Sequence, residues 1–133
     1  IALAHFNTRL YFISPEILGM PSTICTALEK KGITFSQHTT LNEVLGHVDI
    51  LYMTRIQKER FPSKDEYLKF KGRYVITRDV ADRMKEGAII MHPLPRVGEI
   101  SVAVDDSPNA VYFKQARYGV LIRMALLEHI FAS

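Results

Sequence analysis

The run VDILYMTRIQKER, residues 48–60, decides the fold of this chain, because an apolar strand-like segment passes directly into polar and cationic residues. The run AIIMHPLPR, residues 88–96, repeats the arrangement with prolines in the turn. In an open α/β sheet, ligands bind just beyond the carboxyl ends of the strands. Two such strand ends, one cationic and one fixed by prolines, predict a single anion-binding crevice.

Strand-like and helix-like segments alternate along the rest of the chain. β-branched and aromatic runs predict strands at 9–13, 33–36, 48–53, 74–76 and 88–91. Apolar periodicity and capping residues predict helices at 21–31, 40–45, 64–70, 77–85 and 110–131. This alternation predicts an α/β fold, with a doubly wound parallel sheet, right-handed crossovers and helices on both faces.

Two predicted helices carry specific local signals. Thr40, followed three residues later by Glu43, predicts a capping box. Gly119 predicts close packing within the last helix. An apolar stripe runs along that helix through Tyr112, Ala116, Val120, Met124 and Leu127.

Length and composition indicate one domain of ordinary size. The chain has 133 residues, of which 47% are hydrophobic and 23% charged, which suits a core within a globular surface. No apolar run approaches the roughly 18–20 residues that span a bilayer, and the first residues do not read as a signal peptide. Cys25 is the only cysteine, so no disulfide forms within the chain.

The charge pattern argues against nucleic acids and metals as ligands. The net charge is +3 and the basic residues are mostly dispersed, whereas a nucleic-acid-binding protein more often shows a dense basic stripe. The histidines lack metal-ligand spacing, and no glycine-rich phosphate loop or HExxH motif is present. Small anions such as carboxylates or phosphates fit the two strand ends better.

Residues 53–60 form a segment that we call the cationic turn. Arg55 offers a planar guanidinium group that matches a carboxylate, and Gln57 offers both a donor and an acceptor. In an extended backbone their side chains can point the same way. The alternative is a solvated charged turn whose residues only pair with neighbours.

Residues 92–99 form a second segment that we call the proline loop. Pro93 and Pro95 remove backbone donors and fix φ, so the carbonyls of residues 91–94 are predicted to be rigid acceptors for an amide or ammonium group. The alternative is a rigid exit from the strand without a ligand. His92 is either a general acid or base or, as is more usual for a lone histidine, a hydrogen-bonded structural group.

At these two segments the chain resembles the C-terminal, aspartate-binding domain of the aspartate carbamoyltransferase family. The similar stretches are DILYMTRIQKER at 49–60, HPLPRVGEI at 92–100 and residues 118–127, and the resemblance extends over nearly the whole chain. In the sibling ornithine carbamoyltransferases, a cysteine typically stands where Pro93 is, and a Ser-Met-Gly motif replaces residues 53–55. The resemblance therefore favours aspartate as the substrate, with Arg55 setting the substrate class.

The resemblance implies roles for particular side chains and carbonyls, although it assigns no catalytic residue within the chain. Arg55 would bind an aspartate carboxylate and Gln57 would orient the amino acid. Leu94 and Pro95, joined by a cis peptide bond, would contact the carbamoyl group and the attacking amine. Interdomain contacts in a closed state are implied for Arg60, Tyr67, Arg96 and Glu99, and residues 61–71 would form a mobile loop.

The implied reaction is carbamoyl transfer from carbamoyl phosphate to L-aspartate in de novo pyrimidine biosynthesis, without a metal or an organic cofactor. The family's phosphate-binding motif and catalytic lysine lie in an N-terminal carbamoyl-phosphate domain, which residues 1–133 do not contain. The aspartate domain's first strand is also expected before Ile1. The resemblance thus implies part of a cytoplasmic homotrimer, with regulatory subunits as further partners, no nucleic acid and no membrane, and predicts that the chain alone is inactive.

Two alternatives stay open at this point. A catalytically silent homologue that serves as an assembly or regulatory module would keep the same fold. Another amino-acid carbamoyltransferase would differ in its substrate. The residues upstream of the chain distinguish the first alternative, and binding of competing amino acids distinguishes the second.

Overall fold

The computed structural model describes residues 2–132. The chain divides into two compact units, the first comprising Ile1–Val44 and Gln57–Tyr74 and the second Leu45–Ile56 and Val75–Ser133. Short 3-10 helices are found at Ala2–His5, Glu16–Leu18, Leu41–Glu43, Lys58–Arg60 and Val102–Val104. Among residues 2–132, no helix has the length and apolar character needed to cross a membrane.

The first unit contains one pair of parallel strands and two α-helices. Strand β1 (Leu10–Ile13) pairs in parallel with β2 (Phe35–His38), and helix α1 (Ser22–Lys30) lies between them in the chain. Helix α2 (Lys64–Phe70) begins at Ser63, whose side chain accepts a hydrogen bond from the Glu66 N–H. That cap satisfies one of the otherwise unpaired amides in the first turn of the helix predicted at 64–70.

The second unit is built around a second pair of parallel strands. Strand β3 (Ile50–Tyr52) pairs in parallel with β4 (Ile89–Met91), so that Ile50 lies opposite Ile89 and Tyr52 opposite Met91. Helix α3 (Arg78–Asp82) and the long helix α4 (Tyr112–Phe131) belong to the same unit. Its buried apolar residues include Leu51, Ile76, Ile90, Ile100, Val104 and Tyr112.

The α/β fold class with parallel strands is confirmed, but the predicted sheet differs in detail. The described strands pair as two two-stranded sheets, β1 with β2 and β3 with β4. The predicted strand at 74–76 is reduced to an isolated bridge between Ile76 and Ile100, since only one residue there finds a backbone partner. The predicted strand at 33–36 is displaced to Phe35–His38.

Two of the local helix predictions are wrong. Residues 40–45 form only the 3-10 turn Leu41–Glu43, and the Thr40 side chain does not cap it. Instead, the Thr40 hydroxyl donates to the Glu43 carboxylate at 2.5 Å, and the other Glu43 oxygen lies 2.8 Å from Nδ1 of His38. The side-chain partners thus outcompete the backbone amides that a capping box would satisfy.

Helix α4 is continuous, as predicted, but its apolar stripe is buried only at the first turn. Tyr112 is fully buried, whereas Val120, Met124 and Leu127 are exposed in the described chain. Gly119 does not lie against another element, because the nearest atom to a side chain there is the Arg123 guanidinium group of the same helix. The glycine therefore marks no close helix packing among the described residues.

Candidate functional site

The carboxyl ends of β3 and β4 lie side by side in the second unit. Beyond the paired strands, the Met53 N–H donates to the Met91 carbonyl at 2.9 Å. Residues 53–56 and the proline loop therefore leave the sheet at the same edge, which is where an open α/β sheet presents its ligand-binding residues. The predicted juxtaposition of these two strand ends is confirmed for the residues within this unit.

The side chains of the cationic turn lie at the protein surface or only partly below it. Arg55 is exposed in the second unit, and Gln57, in the first unit, is half-buried immediately before the 3-10 turn Lys58–Arg60. Arg60 is exposed. An exposed guanidinium group can form two parallel hydrogen bonds to a carboxylate, so the position of Arg55 suits the role predicted for it.

The remaining predicted closure residue of the first unit, Tyr67, is half-buried in α2. Its ring packs edge-on against the buried ring of Phe61, with 5.8 Å between the centroids. Phe70 also stacks on Phe61. The predicted mobile segment 61–71 thus has a small aromatic cluster of its own, and the interdomain role of Tyr67 stays a prediction.

The proline loop has an unusual backbone. The Leu94–Pro95 peptide bond is cis, as predicted, and Leu94 has a φ of +49°. Left-handed backbone is uncommon for a residue with a branched side chain, so the surrounding contacts must hold it. Of the four carbonyls predicted as acceptors, that of Met91 accepts the Met53 N–H of the strand ladder.

His92 and Glu99 form a buried pair inside the proline loop. His92 Nε2 lies 2.7 Å from Glu99 Oε1, and the two side chains are only 2% and 8% exposed. Burial alone would raise the pKa of Glu99, but hydrogen bonds from the Val97 and Glu99 backbone amides and from His92 outweigh it and leave that pKa below its ordinary value. The carboxylate is therefore the stable form.

Gln115 of α4 connects the two strand ends. Its side-chain oxygen accepts the His92 N–H at 2.9 Å, and its side-chain nitrogen donates to the Tyr52 hydroxyl at 3.3 Å. One amide side chain thus contacts the last residue of β3 and the first residue after β4. Helix α4 therefore contacts the carboxyl ends of both β3 and β4 through Gln115.

Arg96 is engaged within the second unit. Its guanidinium group donates to both oxygens of Asp105, at 2.7 Å for Nη2 to Oδ2, and lies over the rings of Tyr112 and Phe113. The Tyr112 hydroxyl donates to the same carboxylate. The interdomain role predicted for Arg96 is untested, and the contacts seen here hold the end of the proline loop against the start of α4.

The electrostatics of this cluster follow from those contacts. Hydrogen bonds from Arg96 and Tyr112 lower the pKa of Asp105 to about 2. Burial, together with the hydrogen bond to Asp105, raises the pKa of Tyr112 to about 12. The pKa of Arg96 is raised by its hydrogen bonds to Asp105. At neutral pH the cluster is therefore a carboxylate, a guanidinium ion and a neutral phenol.

Comparison with known proteins identifies the family. Residues 1–130 match the family described as aspartate/ornithine carbamoyltransferase, Asp/Orn binding domain. The chain belongs to this family. It is 55% identical over 130 residues to the aspartate carbamoyltransferase catalytic subunit of Methanosphaera stadtmanae, covering 97% of this chain and 42% of that protein.

Solved structures of transcarbamoylases show the same fold. The catalytic subunit of M. jannaschii aspartate transcarbamoylase superposes with a TM-score of 0.84 at 49% identity, covering 96% of this chain and 42% of that one. The Trypanosoma cruzi enzyme in complex with carbamoyl phosphate and aspartate gives 0.79 at 39% identity, covering 92% and 41%. The chain thus spans about two fifths of the length of these relatives.

Three residues that contact the proline loop had no site role predicted from the sequence. Asp105, Tyr112 and Gln115 follow the proline loop by many residues, and only the fold brings them to it. Asp105 reads as part of an acidic turn, and Gln115 as an ordinary helix residue. The one usable signal is Tyr112, an aromatic residue at the start of the predicted last helix.

Two surface depressions of the second unit are lined by none of the predicted site residues. One is formed along α4 by Ala125, Glu128, His129 and Ala132. Another lies near the opposite end of β4 and is lined by residues that include Met84, Ala88 and Asn109. The strand edge that carries Arg55 and the proline loop is a surface site, and among residues 2–132 no group of three or more His, Cys, Asp or Glu residues is placed to hold a metal ion.

Proposed function

We propose that this chain is the aspartate-binding part of an aspartate carbamoyltransferase. The parent protein would transfer the carbamoyl group of carbamoyl phosphate to L-aspartate, giving N-carbamoyl-L-aspartate and phosphate for pyrimidine biosynthesis. Its carbamoyl-phosphate domain would lie outside these 133 residues, which span about two fifths of the relatives' length.

The observation that carries this proposal is that Arg55 and the proline loop follow neighbouring parallel strands at the same edge of the sheet. Arg55 is exposed just after β3, while Leu94 and Pro95 follow the neighbouring strand β4. The matched family includes both aspartate-binding and ornithine-binding domains, so the match alone does not decide which amino acid this chain binds. A guanidinium group suits the second carboxylate of aspartate, whereas the ammonium group of ornithine would be repelled by it.

The chemistry assigned to the chain is binding and orientation. Arg55 binds a carboxylate of aspartate, Gln57 orients the amino acid, and the Leu94 and Pro95 carbonyls accept hydrogen bonds from the attacking amine and the carbamoyl group. The amine attacks the carbonyl carbon of carbamoyl phosphate, phosphate leaves with the electrons of the broken bond, and the nitrogen loses a proton. Correct placement of two reactants can supply much of the rate enhancement.

Assembly is part of the same proposal. The parent would be a cytoplasmic homotrimer, and regulatory subunits are further candidate partners. The relatives are named catalytic subunits, a term that supports association with other chains. Within such an assembly, Arg60, Tyr67, Arg96 and Glu99 are the proposed contributors to interdomain closure.

The test is a steady-state assay of the full-length parent protein with L-aspartate. We expect Arg55→Ala to raise the KM for aspartate by about 100-fold, which corresponds to the loss of about 2 to 3 kcal/mol from charged hydrogen bonds. The matched control is Arg78→Ala, because Arg78 is an exposed arginine on α3 paired with Asp82. An unchanged KM in Arg55→Ala would remove the aspartate role from this residue.

A comparison of the isolated chain with the full-length parent separates the proposed aspartate carbamoyltransferase from a catalytically silent module. We expect purified residues 1–133 to form no carbamoyl-aspartate, while the full-length parent does. A parent that folds and assembles but shows no carbamoyl transfer to any amino acid would be the silent module instead. Carbamoyl transfer by the 133-residue chain at rates near those of the parent would show that a separate carbamoyl-phosphate domain is not needed.

A further inference from the structure

The proline loop contains a continuous set of buried hydrogen bonds that the proposed reaction does not use directly. His92 Nδ1 accepts the N–H of Leu94 at 2.8 Å, and Nε2 lies 2.7 Å from Glu99 Oε1. The second oxygen of Glu99 accepts the N–H of Val97 at 2.9 Å. Two side chains thus connect the backbone amides of residues 94 and 97 through the interior of the loop.

The tautomer of His92 follows from these contacts. A backbone N–H can only donate, so Nδ1 must be the unprotonated nitrogen. The proton of the neutral ring then lies on Nε2 and is donated to the Glu99 carboxylate. The hydrogen bond at one ring nitrogen sets the state of the other, so Glu99 selects the tautomer in which His92 can accept from Leu94.

The contact at Leu94 is the one that matters for the site. Leu94 adopts a left-handed backbone, which a leucine adopts rarely without support. Its N–H donates to the imidazole of His92, which is almost fully buried. The backbone N–H of His92 in turn donates to the side chain of Gln115. The orientation of the peptide group that joins Pro93 to Leu94 is therefore coupled to the core of the second unit.

We propose that His92 and Glu99 are positioning residues, which anchor the amides of residues 94 and 97 and thereby set the orientation of the Leu94 and Pro95 carbonyls between them for carbamoyl transfer. This inference rests on the proposed function, because those carbonyls are the groups assigned to the amine and the carbamoyl group. Neither His92 nor Glu99 contacts the reactants in this account. The pair acts by holding an acceptor in place, so that no reorganisation is needed when the substrates bind.

A consequence is that the pair affects turnover more than aspartate affinity. Arg55 binds a carboxylate that is the same before and after reaction, so its loss raises KM. A misplaced Leu94 carbonyl instead spoils the geometry of attack, and displacements of about 1 Å can cost about 100-fold in rate. We expect His92→Ala to lower kcat by about 10- to 100-fold, with less than a threefold change in the KM for aspartate.

The variants can separate a positioning role from a merely structural one. His92→Asn places an amide oxygen near the position of Nδ1, so it can still accept the Leu94 N–H, and we expect it to retain at least tenfold more kcat than His92→Ala in the full-length parent. The matched control is His38→Asn, since His38 also pairs with a glutamate, Glu43. That control should leave kcat unchanged. Equal kcat in His92→Ala and the wild type, or equal losses in His92→Ala and His92→Asn, would overturn the proposal.

The tautomer provides a test that does not depend on activity. In the 133-residue chain with ¹⁵N-labelled histidine, we expect one neutral histidine with the proton on Nε2 and none on Nδ1, whose signals disappear in His92→Asn. A His92 ring that carries its proton on Nδ1, or exchanges rapidly between tautomers, would overturn the geometry. Because no reaction is involved, this result is distinguishable from failure of the proposed carbamoyl transfer.

Discussion

The proline loop and the cationic turn leave neighbouring strands, yet they use their charged residues in opposite ways. In the proline loop, Arg96 and Glu99 are turned inward, to Asp105 and His92 respectively. In the cationic turn, Arg55 and Lys58 are exposed. An arginine that follows a strand can therefore be partly buried against a carboxylate, as Arg96 is, or exposed, as Arg55 is, and its sequence position does not distinguish the two.

The difference has a physical cause in what surrounds each segment. The proline loop ends against the start of α4, where Tyr112 is fully buried and Asp105 lies beside it. Arg96 accordingly finds both a carboxylate and aromatic rings. The cationic turn instead ends in the 3-10 turn Lys58–Arg60, in which no residue is buried. We therefore expect changes near the proline loop to affect stability and changes in the cationic turn to affect binding.

The largest expected effect comes from the aromatic support of the proline loop. Tyr112→Ala removes a fully buried ring, and we expect it to lower the free energy of unfolding of the 133-residue chain by about 3 to 5 kcal/mol. Phe113→Ala is the matched control, because the neighbouring ring is exposed. Chemical denaturation measures both, and a comparable loss in the control would break the proposed contrast.

The next effect concerns the carboxylate that holds Arg96. Asp105→Asn removes the charge that pairs with Arg96 while keeping the size of the side chain, and the pair is partly exposed. We expect a loss of about 1 to 3 kcal/mol in the free energy of unfolding. The adjacent Asp106→Asn, at an exposed position, should change it by less than about 0.5 kcal/mol. Equal effects of the two substitutions would show that Arg96 is not held by Asp105.

Acid sharpens the same point with a smaller effect. The pKa of Asp105 lies at about 2 rather than 3.8, because Arg96 and Tyr112 donate to the carboxylate. A lowered pKa stabilises the fold above the unfolded value and this stabilisation is lost as the pH falls through the folded one. The stability difference between wild type and Asp105→Asn should therefore shrink as the pH falls from about 4 to 2. Chemical denaturation at each pH measures this difference. A difference that does not change between pH 4 and 2 would contradict the lowered pKa of Asp105.

The smallest effect is expected in the cationic turn. Lys58→Ala alters an exposed side chain of the 3-10 turn, and we expect the free energy of unfolding to change by less than about 0.5 kcal/mol. Denaturation under the conditions used for Asp105→Asn provides the comparison. A loss as large as that of Asp105→Asn would mean that the turn is held in place by its cations.

Much of the site could be predicted because it depends on local signals. The apolar runs ending at Met53 and Met91 mark strand ends, and neighbouring parallel strands bring such ends together. The cap at Ser63 and the extent of the last helix are likewise set by residues close in sequence.

What could not be predicted depends on contacts between distant residues. Arg96 is bound by Asp105 and the backbone N–H of His92 by Gln115 of α4, and only the packed unit brings these residues together. The strand at 74–76 fails for a related reason, because a strand requires a partner over several residues and Ile76 finds one only at Ile100. The predicted capping box at Thr40 does not form, because the Glu43 carboxylate binds the side chains of His38 and Thr40 instead of a backbone amide.

The role of Arg55 in selecting aspartate is best tested by the amino-acid preference of the full-length parent protein. The ratio of kcat/KM for L-aspartate to that for L-ornithine is measured with carbamoyl phosphate as the donor, in the wild type and in Arg55→Ala. We expect kcat/KM to be at least about 100-fold higher for L-aspartate than for L-ornithine in the wild type. This preference should be largely lost in Arg55→Ala and kept in Arg78→Ala. A preference for ornithine, or a preference for aspartate that survives Arg55→Ala, would contradict it.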